Sequence, residues 1–472
     1  MARSSAAVQP SAGEPEASGG GAPARRSRNL RLAAGLTLLI AVQVGLSLAL
    51  SCLAQEGLAD TTLGYAGRFL AGDVARYEDS WRPMASAVKS WRAFPERPVY
   101  HRLLSSHHTK IQYPPSSFFL TLASERLAPK LGLAPYRLLD LVGWLSCWTV
   151  IFTAAWLFRR VCEDANGGEP PGALAMSLVG ALALLFYPIL RGFWIGQVQS
   201  LITACTALSL ALWYSGRRVA AGAVLGVAAL LKPHYALILL FVAWRRQYRA
   251  VLAGGLVLAA GTLAGVMVFG WQNYVDYLHA LQLLAQRGES YYANFSLNGL
   301  LSRIDGLYDP LHNNADWSFK FPPFVPWVYW GTVASSLVLL ALVFLRRRPE
   351  GRPDAQAADL GVATLGVTMA SPIAWEHHYG VVAPLLALAA ACVWKEPTAR
   401  RRRLGLLLAV AWLLTATYVQ PAIRLAQTPW NFLQSYLYFG AIAALAVLVQ
   451  LAAGRRTGAR AALGPEGAGG RP

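Results

Sequence analysis

The stretch VAAGAVLGVAALLKPHYALILLFVAW, from Val219 to Trp244, decides how this chain folds. It is apolar throughout except for Lys232-Pro233-His234-Tyr235 at its middle, with Arg217-Arg218 before it and Arg245-Arg246 after it. Short basic loops between apolar runs mark the cytoplasmic side of a membrane. A single span would put one basic end outside and strand Lys232 near the bilayer midplane, where charge is expensive. A hairpin keeps both basic ends on one side. Its arms of about 12 residues reach only ~18 Å, short of a ~30 Å hydrocarbon core. The tip must therefore end among protein or water, because lipid cannot satisfy an open backbone.

The same reading extends in both directions. Leu32 to Leu53 leads out of the cytoplasm and Arg137 to Phe158 returns to Arg159-Arg160. Ala173 to Leu190 goes out, and Val198 to Tyr214 comes back to the hairpin. Beyond it, Val251 to Gly270 runs out and Val325 to Leu345 returns. Residues 359–394 form a second hairpin, with Ser371-Pro372-Ile373-Ala374-Trp375-Glu376-His377-His378-Tyr379 at its tip. Leu404 to Val419 and Phe432 to Leu451 complete about 12 helices with both ends cytoplasmic. The expectation is an all-α polytopic protein of the cell inner (cytoplasmic) membrane, one integral domain over 31–453 between disordered tails at 1–30 and 454–472. A large first outer loop, 54–135, carries Ser116 to Ala128 as a helix lying in the interface.

Composition agrees and narrows the function. Of 472 residues 55% are hydrophobic and only 14% charged, which excludes an ordinary soluble domain. The net charge of +18 sits largely in the termini and short loops, so it reports topology and contact with membrane lipids rather than nucleic acid. The five cysteines show no CxxC pairing and suggest neither a disulfide framework nor a zinc site. There is no Walker loop, GxGxxG, HExxH or DxD pair, so neither a nucleotide, a metal nor another cofactor is implied. A lipid-borne substrate suits such a chain better.

Ionisable residues in a membrane protein are functional candidates by default. On this topology five polar clusters face outward: Asp73 with Arg76, Glu78 and Asp79; Gln197 with Gln199; Lys232 with His234; Glu376 with His377 and His378; and Asn294, Ser296, Asn298 and Arg303. Their gathering on one face is more informative than any one of them.

Gly72-Asp73, Tyr113-Pro114-Pro115, Gly196-Gln197-Val198-Gln199, Leu231-Lys232-Pro233, Ser296-Leu297-Asn298-Gly299 and Ser371-Pro372 through Tyr379 occur in an order that resembles glycosyltransferase family 87. The resemblance implies a GT-C architecture, with 31–270 as catalytic module and 271–453 as variable C-terminal helices. It also implies a hexosyltransferase that takes a sugar, mannose first and arabinofuranose second, from a polyprenyl-phosphate donor. The acceptor would be a lipid or glycan, attacked with inversion. Asp73 is then the expected general base, with Asp60 and Asp79 as alternative acids. Lys232, His377, His378 and Arg303 are expected on the donor phosphate, and Tyr113, Gln197, Glu376 and Asn298 on sugar or acceptor hydroxyls. The alternative is a transporter or flippase of lipid-linked sugars, because paired short, Pro-interrupted segments are also the mark of a transporter's midplane site.

Overall fold

The computed structural model describes residues 21–55, 57–74, 79–106, 109, 111–306, 323–349, 351–426 and 428–453. Arg76, Glu78 and the tails 1–20 and 454–472 lie outside the described residues. Helix α1 (Gly21–Ala54) starts ahead of the expected first span, because the Ala- and Arg-rich segment before it continues the helix. The outer loop folds into four short helices: α2 (Thr62–Ala71), α3 (Trp81–Ala93), α4 (Val99–Ser106) and α5 (Phe118–Leu127). The last of these occupies the expected interfacial segment. After α6 (Pro135–Ala165), helices α7 (Ala173–Leu184) and α8 (Tyr187–Trp194) form one apolar pair bent by 48°, with Pro188 in the first turn of α8. Then follow α9 (Gln199–Tyr214), α10 (Arg218–Leu231), α11 (Ala236–Trp244), α12 (Tyr248–Phe269), α13 (Trp271–Arg287) and α14 (Leu297–Asp305). The chain closes with α15 (Pro326–Leu345), α16 (Pro353–Met369), α17 (Val382–Trp394), α18 (Thr398–Ala416) and α19 (Tyr436–Ala452).

Among the described residues six helices are long and apolar enough to cross a membrane, or seven if the bent α7–α8 pair is one span. The remaining helices of the expected twelve are shorter or carry too much charge, so length and hydropathy alone do not establish that count. The lipid-facing side is apolar, inverting the soluble pattern: Leu252, Leu256, Leu263 and Met267 of α12 are all exposed. Burial is deepest in α16 and α17, which form the centre of the bundle.

Both hairpins form. Proline at 233 disfavours helix at the residue before it, and Lys232 is extended (φ −149°, ψ 98°), ending α10. Residues on either side of that break, Gly226 on α10 and Leu239 on α11, both pack on Gly254 of α12. The α10 end is closed by Ser116, whose hydroxyl donates to the Leu230 carbonyl at 2.8 Å. In the second hairpin Asp354 and Lys395 pair at 3.7 Å across the base, and Gly361 of α16 meets Leu385 of α17. The outer loop is tied down across the sequence. Asp276 of α13 accepts from the amides of Tyr100 (2.6 Å) and His101 (3.0 Å), and Asn273 from Val99 (2.9 Å). Two α13 side chains thus cap the start of α4.

Helices α10 and α12 run parallel, with Gly222 against the Ala250 backbone and Gly226 against the Gly254 backbone, the close approach that small residues permit between membrane helices. A side chain at Gly222 would enter the Ala250 carbonyl. Gly222→Val should cost about 1–3 kcal/mol or more in a thermal melt of the purified protein. Gly405→Ala, where the added carbon meets nothing within 4 Å, should leave the melt unchanged. Equal effects from the two would remove the packing argument.

Candidate active site

The site starts at a tight turn. Gly196 takes φ +65°, which a residue with a Cβ seldom adopts, and this turns α8 into α9. The turn's carbonyls hold the outer loop: the Asp79 amide donates to Ile195 (2.7 Å) and the Ser80 amide to Gly196 (3.2 Å). Gln197 then points into the same place. Its Oε1 accepts from the Ser80 hydroxyl (2.6 Å) and the Tyr113 hydroxyl (2.8 Å), and its Nε2 donates to Asp79. A buried amide satisfied on both ends is rigid, so the Asp79 carboxylate is fixed in direction.

Asp79, Gln112, Tyr113, Gln197, Trp375, His377 and His378 line one small cavity of about 40 Å³. Asp79 keeps an exposed edge, but the protein around its carboxyl pushes its pKa up to about 6, against the downward pull of the Gln197 hydrogen bond.

Behind His378 the two hairpin tips meet. Lys232 Nζ lies 2.5 Å from His378 Nε2 and 3.4 Å from Gln199 Oε1, and Gln199 Nε2 donates to the Tyr235 hydroxyl at 3.1 Å. The Trp375 amide donates to His378 Nδ1 at 3.0 Å. In a neutral imidazole that assigns the proton to Nε2, the nitrogen facing Lys232. The Nε2–H of His378 and the Lys232 amine therefore face the same point, and among the described residues Lys232, though buried, has no carboxylate partner. An inserted anionic oxygen would satisfy both. His377 adds a buried ring nitrogen, Nδ1, with no hydrogen-bond partner.

Loop 288–296 positions the second tip. Asn294 donates to the Pro372 carbonyl (3.2 Å) and accepts from the Ala374 amide (3.0 Å), while Ser296 donates to Pro372 (2.7 Å). The Trp375 indole donates to Glu289 at 2.5 Å. Behind the tip, Arg191 Nε donates to Glu376 Oε1 at 2.6 Å and its NH1 reaches the Tyr65 hydroxyl at 3.1 Å.

The residues singled out from sequence thus divide. Tyr113, Gln197, His377 and His378 come together around the cavity, and Lys232 lies behind it against His378. Asp73 does not line it: it is exposed, just past the left-handed Gly72 that ends α2, and its neighbour in the loop, Asp79, occupies the wall instead. Arg303 is buried in a structural clamp, donating to the Tyr292 (2.6 Å) and Asn294 (2.8 Å) carbonyls and the Ser435 hydroxyl (2.6 Å). Asn298 accepts from the Glu289 amide (3.0 Å) and donates to Thr332 (3.2 Å), supporting the loop rather than facing the cavity. Glu376 is held by Arg191. Sequence reading missed Arg191 and Glu289. An arginine inside the apolar run of α7–α8 was the available signal for the first. Among the described residues no group of three His, Cys, Asp or Glu side chains could hold a metal.

Fold and site define a polytopic helical membrane protein with a small polar cavity lined by the 54–135 loop, the turn before α9 and the tip of the second hairpin, on which the first hairpin tip rests. The sequence profile of Glycosyltransferase family 87 matches residues 112–372, more than half of the chain. The chain belongs to that family and is a glycosyltransferase. It is 27% identical over 342 residues, 69% of this chain and 71% of the other, to the polyprenol-phosphate-mannose-dependent alpha-(1-2)-phosphatidylinositol pentamannoside mannosyltransferase of Mycobacterium tuberculosis (strain CDC 1551 / Oshkosh). Among solved structures it is similar to ArnT from Cupriavidus metallidurans bound to undecaprenyl phosphate, at 15% identity over 84% of this chain and 76% of that one. The TM-score of 0.35 is too low for that likeness to carry any argument.

Arg303→Met should lower thermal stability by about 3 kcal/mol or more, since each buried carbonyl it abandons costs about 1–3 kcal/mol. A melt unchanged by this substitution would contradict the clamp.

Proposed function

We propose that this glycosyltransferase moves mannose from a polyprenyl-phosphate donor to a hydroxyl of a lipid or glycan acceptor on the extracytoplasmic face of the inner membrane. The proposal includes a GT-C-like arrangement of about 12 helices with cytoplasmic termini, 31–270 carrying most of the catalytic groups. One observation carries the reading: a carboxylate, Asp79, lines the same cavity as His378, which in turn touches Lys232. The donor named for the mycobacterial relative supports the choice of sugar and carrier. The flippase alternative is not favoured, since the family is one of transferases.

Asp79 takes the proton of the acceptor hydroxyl as its oxygen attacks the anomeric carbon with inversion. The bond from that carbon to the phosphate oxygen breaks and polyprenyl phosphate leaves with the electron pair. Lys232 and the Nε2–H of His378 meet the negative charge that develops there. Tyr113, held by Gln197, and His377 are left to contact sugar hydroxyls. At about 40 Å³ the cavity has room for only a few waters, so a hexose has to widen it.

The test supplies purified protein with radiolabelled polyprenyl-phosphate mannose and membrane lipid extract. Asp79→Asn should lower kcat about 10²–10⁴-fold, the usual worth of a general base, and Asp73→Asn should change it little. The reverse result would return the role to Asp73 while leaving the reaction in place; no transfer from any polyprenyl-phosphate sugar would end the reading. Lys232→Met should raise KM for the donor and lower kcat. The pH profile is also set. A base whose pKa is raised to about 6 is ionised above that pH and protonated below it, so kcat/KM should fall about tenfold per unit below about pH 6. A rate flat down to pH 5 would exclude Asp79.

A further inference from the structure

We propose that the groove between the α9–α10 turn and the α11–α12 turn binds the phosphate headgroup of an anionic phospholipid. It lies at the far end of α10 from Lys232, about 20 Å away for a helix of this length, and plays no part in the reaction.

The groove has a volume of about 840 Å³, and Arg217, Arg218, Arg246 and Arg249 all line it without a single carboxylate. Among the described residues Arg217, Arg246 and Arg249 have no acidic partner, unlike Arg245, which is bound to Asp359 at 2.8 Å. Arg218 lies over the Trp213 ring at 4.0 Å, donates one nitrogen to Gln356, and keeps its other terminal nitrogen, NH1, buried with no partner. Arg246 is one of two non-glycine residues at positive φ (58°) among the described residues, a strained conformation that turns the chain into the groove.

Two helix dipoles add to this charge. Because α10 and α12 pack in parallel, both begin here, and neither first turn is capped by a side chain. The Arg218 amide is taken by the Gly216 carbonyl and that of Ala250 by Gln247, so it is chiefly the two positive helix ends that favour an anion with several oxygens. The surroundings select a lipid over a soluble phosphate. Val219, Trp244 and Tyr248 are exposed at the rim, as aromatic and apolar residues are at a membrane interface. Leu252 and Leu256 continue below them as an exposed apolar track for acyl chains.

The experiment places the full-length protein in phosphatidylcholine nanodiscs and titrates phosphatidylglycerol, reading bound lipid by native mass spectrometry and the melting temperature in parallel. Removing Arg217, Arg218, Arg246 and Arg249 together as glutamines should weaken phosphatidylglycerol binding about tenfold or more and abolish its effect on the melt. The control Arg347→Gln, Arg401→Gln, Arg402→Gln, Arg403→Gln, with equal loss of charge, should weaken it by less than about twofold. The single variant Arg249→Gln, at an exposed position, should lose about three- to fivefold and guards against misfolding of the quadruple variant. Equal losses in the groove and control variants would overturn the proposal, reducing it to general attraction. So would inorganic phosphate at millimolar concentration raising the melt as far as the lipid does.

Discussion

The structure depends on one requirement: a helix pair too short to cross a bilayer must end against protein. Lys232 stands at the end of such a pair, and that end rests on His378 at the tip of the second, longer hairpin. The neighbours complete what the tips leave open. Ser116 closes the last turn of α10, Gln199 and Tyr235 flank the lysine, and Asn294 with Ser296 holds the backbone before Trp375. A lysine in such a place costs free energy unless an anion joins it. The cost makes sense where the ligand is a phosphate.

The chamber is rigid because its walls come from far apart in sequence and are bonded twice over. Asp79 and Ser80 are held by the backbone of 195–196 and by Gln197. Loop 288–296 is held by Arg303 on one side and holds the 372–375 backbone on the other. Residues that read as ligands in the sequence thus divide between touching the cavity and building its frame. The two ends of α10 also differ in kind: a polar chamber at one, an open basic groove at the other.

Much was legible in the residues alone. Hydropathy runs and the placing of arginines revealed a polytopic helical protein, a short helix at 118–127 and both hairpins, because lipid and water sort side chains locally and with large free energies. The ordered motifs led to the family. What only the tertiary structure decided was which acid meets the cavity and which cation meets a carbonyl. Asp73 and Asp79 are six positions apart in one loop, and nothing local distinguishes them; the 195–198 turn, far along the chain, draws in the second. Arg303 carries the same charge as Lys232, yet its partners are the carbonyls of Tyr292 and Asn294 and the hydroxyl of Ser435, just before α19. Hydrophobic patterning sets where the chain crosses, but the direction of a polar side chain follows from which distant backbone groups need a partner.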